Sequence, residues 1–86
     1  MKIDHIGIAT RQLEEGLALW RDALGLPVDA TEEISEQGVR VAMLPIGDTH
    51  VELLEALSPD SSVGKFISKR GPGIHHIAVQ VVDINA

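Results

Sequence analysis

In this 86-residue chain His5, Glu52 and His76 are of types that hold a divalent cation, and they fall on three separate strand-like stretches. Two neutral imidazoles and a carboxylate suit a borderline ion such as Zn²⁺, Co²⁺, Ni²⁺ or Fe²⁺. A single histidine on a strand is more often a surface or packed residue, so what matters is whether the three share a face. Along a β-strand, successive side chains point to opposite faces. Between Ile3 and Ala9, His5 lies with Gly7 and Ala9, away from Ile6 and Ile8. Between Thr49 and Leu54, Glu52 lies with His50 and Leu54, opposite Val51 and Leu53. In the last stretch, His76 lies with Ile74, Ala78 and Gln80, opposite Ile77, Val79 and Val81. Each strand therefore offers an apolar face, expected to pack on helices, and one metal-ligating side chain on the other. His50 shares the Glu52 face and is a candidate for lining a substrate. His75 falls on the apolar side by alternation and reads as a helix-packed or edge residue. Nucleophilic chemistry has little support, because the chain has no cysteine, no G-x-S-x-G turn and no P-loop.

Periodicity gives the elements that must carry these side chains. Residues Ile3 to Ala9 read as a strand, and from Gln12 the period changes. Leu13, Leu17, Trp20 and Leu24 are spaced four, three and four apart, which predicts one helix with a single apolar stripe. Gly25 and Pro27 end it, glycine by accepting the left-handed conformation and proline by refusing to extend the helix. Three short strands follow, over Val28 to Ile34, Val39 to Leu44 and Thr49 to Leu54. The turn-rich separators Glu36-Gln37-Gly38 and Pro45-Ile46-Gly47-Asp48 favour antiparallel neighbours. A loop, Ser58-Pro59-Asp60-Ser61-Ser62, supplies N-cap candidates for a second helix over Ser62 to Arg70, with Val63, Phe66 and Ile67 on its apolar side. Gly71-Pro72-Gly73 stops that helix, and the β-branched run Ile74 to Val82 is the last strand.

The last strand repeats the first. Asp4-His5-Ile6-Gly7-Ile8-Ala9 aligns with His75-His76-Ile77-Ala78-Val79-Gln80, and the same register sets Gln12-Leu13 against Asp83-Ile84. The expected fold is α+β: one βαβββ module over residues 1–57, a linker with a helix over 58–73, and the opening of a second module over 74–86. His5 and His76 then occupy equivalent positions, and a pseudo-twofold arrangement brings their strands side by side.

Composition narrows the partners. The formal net charge is −6, and the aromatic residues are one tryptophan and one phenylalanine, so neither phosphate neutralisation nor base stacking has the residues it needs. Nucleic acid is excluded on that basis. Lys65, Lys69 and Arg70 form a small basic group, read as the solvated face of the second helix. No apolar run approaches the ~20 residues of a membrane span, and the first residues lack a signal peptide's apolar stretch. The expectation is a soluble, cytoplasmic protein. A chain this short buries only roughly 60–65% of its unfolded surface. With an exposed sheet edge as well, a homodimer is expected.

The opening Asp4-His5-Ile6-Gly7-Ile8-Ala9, the segment ELLEALSPDSSVGKFI and the segment GIHHIAVQV together resemble the vicinal oxygen chelate (glyoxalase/bleomycin resistance/dioxygenase) superfamily. The likeness runs along the whole chain and is greatest to its methylmalonyl-CoA epimerase branch. It implies a glyoxalase-like fold of paired βαβββ modules, here incomplete, and places the family's metal ligands on His5, Glu52 and His76. The family's fourth ligand is a glutamate in the second module. Repeating the His5-to-Glu52 interval from His76 puts its counterpart at about position 123, past Ala86. The resemblance further implies an isomerase acting on an acyl-CoA. A divalent metal ion (Co²⁺, Zn²⁺, Ni²⁺ or similar) would stabilise the enolate formed when the C2 proton of methylmalonyl-CoA leaves. Epimerisation needs an acid–base group on each side of that plane. Some relatives carry a glutamate where Val41 stands here, and valine cannot move a proton, so the catalytic residues stay unassigned. A glyoxalase I-like lactoylglutathione lyase and a metal-free binding module of the bleomycin-resistance type are the alternatives.

Overall fold

The computed structural model describes residues 1–82. The correspondence of Asp83-Ile84 with the first helix lies outside them. Strand β1 (Lys2–Thr10) leads into α1 (Leu13–Leu17), then β2 (Ala30–Ile34), β3 (Val39–Ile46), β4 (Thr49–Ala56), α2 (Ser62–Arg70) and β5 (Gly73–Gln80). The strands form one sheet in the order β2-β3-β4-β1-β5. The β2–β3–β4 meander is antiparallel, β4 runs parallel to β1, and β5 runs antiparallel to β1. The strands carrying His5 and His76, β1 and β5, are therefore neighbours, as the repeat implied.

Local chemistry accounts for most boundaries. Gly47, at φ +61°, takes the first of the two loop positions between Ile46 and Thr49, a conformation that suits glycine in a tight hairpin. The turn expected over Pro45 to Asp48 thus shrinks to two residues and β3 extends through Pro45. β2 begins only opposite Met43, so Pro45 lies past its end and its missing N–H leaves β2 without a lost ladder bond. Ser61 caps α2, its Oγ accepting a hydrogen bond from the Gly64 amide at 3.0 Å.

The first helix departs from the expected stripe. After Leu17 the chain continues as a π-helical stretch over Ala18–Ala23, with the Leu24 amide donating to the Leu19 carbonyl at 2.9 Å. The wider i→i+5 turn rotates Leu24 off the apolar face, leaving it 58% exposed. Leu26 and Val28, from the following loop, pack against the core beside Trp20 instead.

Two apolar clusters lie on opposite faces of the sheet. Under α1, Leu13 and Leu17 meet Ala42, Leu44, Val51 and Leu53. On the other face, Val63, Phe66 and Ile67 of α2 meet Ala9, Val39, Val41 and Leu54. This corrects two expectations. Alternation places both helices on the face opposite the candidate ligands, yet α2 packs on the candidate-ligand face, because that face is itself apolar along Val39, Val41 and Leu54. The apolar side of β5 was expected to be buried, yet Ile77 and Val79 are 54% and 51% exposed. The sheet contacts of α1 are mainly with β1, β3 and β4. Val81 and Val82 also fall outside β5.

Leu53 has no exposed surface and contacts both α1 and the sheet core. Leu53→Ala is expected to cost about 2–5 kcal/mol, with most of the spread set by how far α1 can settle into the space. Urea denaturation of the variant beside the parent chain measures it.

Candidate metal centre

Register brings the three candidate ligands together. In the β1–β4 pair, His5 stands opposite His50 and Gly7 opposite Glu52; in the β1–β5 pair, Gly7 stands opposite His76. Glu52, Gly7 and His76 therefore form one row across three strands, with His5 two residues before Gly7. Residues paired across strands point to the same side. Gly7 has no side chain to fill the middle of that row, and the His76 ring lies across it. A Cβ built on Gly7 would stand 2.6 Å from both nitrogens of the His76 imidazole. Only glycine leaves room for His76 to reach His5.

The result is a compact donor set. One ligand atom from each of His5, Glu52 and His76 lies within 4.8 Å of the others. His5 Nε2 is 3.0 Å from His76 Nε2, and His76 Nε2 is 4.0 Å from a Glu52 carboxylate oxygen. Two nitrogens each about 2.1 Å from a common ion stand ~3.0 Å apart at a right angle and ~3.4 Å apart at a tetrahedral angle. The imidazole spacing fits such an ion, and a small rotation of the Glu52 side chain brings in the carboxylate.

Both rings are held from behind. His5 Nδ1 is 2.8 Å from an Asp4 carboxylate oxygen. His76 Nδ1 is 2.8 Å from His75 Nδ1, and His75 Nε2 is 3.3 Å from Ser62 Oγ at the start of α2. The His75 ring also meets Phe66 edge-on at 5.1 Å between centroids. These placements correct the alternation for β5. A register shift leaves Ile74 opposite Ile8 and His76 opposite Gly7, so His75 is an extra, bulged residue. A bulge sets two residues against one. It turns His75 towards α2 on the ligand face and puts Ile74 on the α1 face. Sequence reasoning missed Asp4 and His75 as partners of the ligand pair. The one available signal was that each immediately precedes a histidine of the repeat.

His50 shares the Glu52 face and is paired with His5 but is not one of the clustered donors, its Nε2 lying 3.9 Å from the Asp29 carboxylate. A cavity of about 280 Å³ opens beside the cluster, lined by Glu52, His75 and His76 and by the apolar Val39, Leu54 and Val63. A second cavity of about 360 Å³ between Met1, Lys2 and Gln80 to Val82 has no metal-ligating side chain.

Burial lowers the His76 pKa from its ordinary 6.5, the positive forms of His5 and His75 lower it further, and Glu52 acts against both. The hydrogen bond from His5 is the largest influence on Asp4 and lowers its carboxyl, keeping it an anion. The neutral imidazole a metal requires is therefore favoured at His76. In the unfolded chain His76 takes up a proton near 6.5, before the fold does. Stability therefore rises with pH across the interval below 6.5 and is fully present above it. With chelator present, the urea midpoint is expected to fall between about pH 7.5 and about pH 5.5, and to fall less in His76→Asn. An equal fall in both chains would contradict the shift.

Comparison with known proteins agrees with this architecture. Residues 4–86 match the model of the Glyoxalase/Bleomycin resistance protein/Dioxygenase superfamily. The human mitochondrial methylmalonyl-CoA epimerase is 36% identical over 86 residues, covering 99% of this chain and 49% of the relative. An uncharacterized Bacillus subtilis protein, YqjC, is 40% identical over 77 residues, covering 90% and 55%. Among solved structures, a Streptomyces coelicolor methylmalonyl-CoA epimerase variant in complex with 2-nitronate-propionyl-CoA superposes with a TM-score of 0.91 at 43% identity, covering 99% of this chain and 63% of that one. The chain thus spans about half the length of the curated relatives it matches. With the βαβββ order, the β1–β5 pairing and this match over nearly every residue, the chain belongs to the Glyoxalase/Bleomycin resistance protein/Dioxygenase superfamily.

Proposed function

We propose that this chain supplies the metal-binding half of a methylmalonyl-CoA epimerase, an isomerase that inverts C2 of an acyl-CoA by proton transfer. Residues 1–57 form the first module, 58–73 the linker and 74–86 the opening of the second. The observation that carries the reading is the convergence of His5, Glu52 and His76 within 4.8 Å. A divalent cation held by those side chains supplies Lewis-acid stabilisation of the negative charge that develops as the C2 proton leaves. The chain's own residues prepare the place for it. Gly7 keeps the space between the rings open, Asp4 and His75 hold the rings, and Val39, Leu54 and Val63 give the adjoining cavity an apolar wall.

Relatives support the substrate. One solved methylmalonyl-CoA epimerase, 43% identical with a TM-score of 0.90, is in complex with methylmalonyl-CoA and NH₄⁺. His50, on the Glu52 face outside the cluster, is proposed to border the substrate. Neither face of the reacting carbon receives an assigned base, since Val41 is apolar and buried against Leu54. A second copy of the chain is the proposed protein partner, because β5 is the outer strand of the described sheet and exposes Ile74, Ile77 and Val79.

Co²⁺ titration followed by absorption is expected to show one site per chain, with affinity reduced at least about 10-fold in His5→Ala. Gly7→Ala is expected to lose a similar amount while retaining its fold, since the new methyl group displaces only the far end of His76. Deuterium exchange at C2 of methylmalonyl-CoA is expected to be weak and to disappear in His5→Ala with His76→Ala; absence of a cobalt site, or exchange unaffected by the double variant, overturns the proposal. Sedimentation equilibrium is expected to give a dimer, and a well-folded monomer at micromolar concentration contradicts that part.

A further inference from the structure

The two irregularities in the β1–β5 ladder fall at equivalent places. The first sets His5 opposite Ala78 and Ile3 opposite Val79, leaving Asp4 as the extra residue; the second leaves His75 extra. In each case the bulged residue is the one immediately before a ligand histidine, and in each case its side chain reaches that histidine's Nδ1 at 2.8 Å. Regular alternation would send residues Asp4 and His75 to the face opposite their neighbours. The bulges are what bring each pair to one side, and bulges commonly re-aim a side chain next to a functional site.

We propose that His75 is a positioning residue for metal binding, selecting the His76 tautomer through a hydrogen-bond chain that runs from Asp4 to Ser62 and whose His76–His75–Ser62 arm reverses direction when the ion enters. The inference rests on the metal reading above and goes further, to how the protein loads.

The direction of the chain follows from its Asp4 end. Asp4 as an anion can only accept, so His5 donates from Nδ1 and its Nε2 carries a lone pair. In the metal-free protein the 3.0 Å contact between the two Nε2 atoms then needs the proton on His76 Nε2. His76 Nδ1 is left as an acceptor, His75 donates to it from Nδ1, and the Ser62 hydroxyl donates to His75 Nε2. A metal needs a lone pair on both Nε2 atoms. The His76 Nε2 proton leaves to solvent, the His75 Nδ1 proton moves to His76 Nδ1, and His75 Nε2 takes a proton from solvent. The Ser62 hydroxyl rotates to accept from His75 Nε2. One proton leaves and one enters, so every imidazole stays neutral. His75 is the residue able to accept at Nδ1 after donating there. Ser62, on the first turn of α2, is at the solvent-facing end of the chain.

Long-range ¹H–¹⁵N correlation on the ¹⁵N-labelled chain at neutral pH reads these tautomers directly. The metal-free protein is expected to show His76 protonated at Nε2 and His75 at Nδ1, and one equivalent of Zn²⁺ is expected to move the His75 proton to Nε2. A His75 tautomer that is the same before and after zinc overturns the inference. In the companion titration, His75→Ala is expected to bind Co²⁺ about 10- to 100-fold more weakly, and His75→Asn, which keeps an acceptor near the Nδ1 position, to stay within about threefold of the parent. A wild-type chain that takes up cobalt with His75→Ala equal to it overturns this inference alone. A wild-type chain that takes up none overturns it together with the metal reading. Should His75→Ala fail to fold, the tautomer measurement on the unaltered chain decides.

Discussion

The pairing of Gly7 with His76 across β1 and β5 is the constraint on which the site depends. Parallel pairing of β1 with β4 places Glu52 on the other side of the same glycine. Three strands that are distant in sequence therefore converge on one position without a side chain, and the candidate ligands fill the space from either side. The register is fixed by the apolar faces, because a one-residue slip would send Ile6, Ile8, Val51 and Leu53 to the wrong side of the sheet. The same burial that drives folding thus sets the ligand geometry. Site and fold share their energetics, and the completely buried Leu44, Leu53 and Val51 lie directly behind the ligand face.

Much of this was legible in the sequence, and the reason is physical. Period-two alternation holds wherever a strand is regular, so it selected the faces of His5 and Glu52 without structural information. The bounds of α2 were readable from Ser61 as a cap and Gly71 as a terminator, since both act through local backbone geometry. What alternation missed lies at irregularities. The bulges at Asp4 and His75 depend on how two strands 71 residues apart settle against each other, and nothing local in either strand announces them. The π-helical stretch after Leu17 belongs to the same class. It exchanges Leu24 for Leu26 and Val28 under the core, a packing decision made by the sheet and not by the helix.

The position of α2 shows how the ligand face manages being partly apolar. One end of that face, around Val39, Val41 and Leu54, is covered by Val63, Phe66 and Ile67. The other end is left to the histidines and Glu52. The boundary between the two is the cavity beside His76, where an apolar wall meets three ionisable side chains. In the proposed epimerase reading this boundary would hold a carbon acid against the apolar wall with its charge stabilised at one edge. The conjunction comes from strand register, helix capping and a glycine, each accounted for separately.

The central claim is that His5, Glu52 and His76 hold a single ion. Zinc K-edge X-ray absorption on the chain loaded with one equivalent of Zn²⁺ tests it most directly. The account predicts a first shell of nitrogen and oxygen at about 2.0–2.1 Å with outer-shell scattering from two imidazoles. A first shell of oxygen alone, without imidazole scattering, would contradict it.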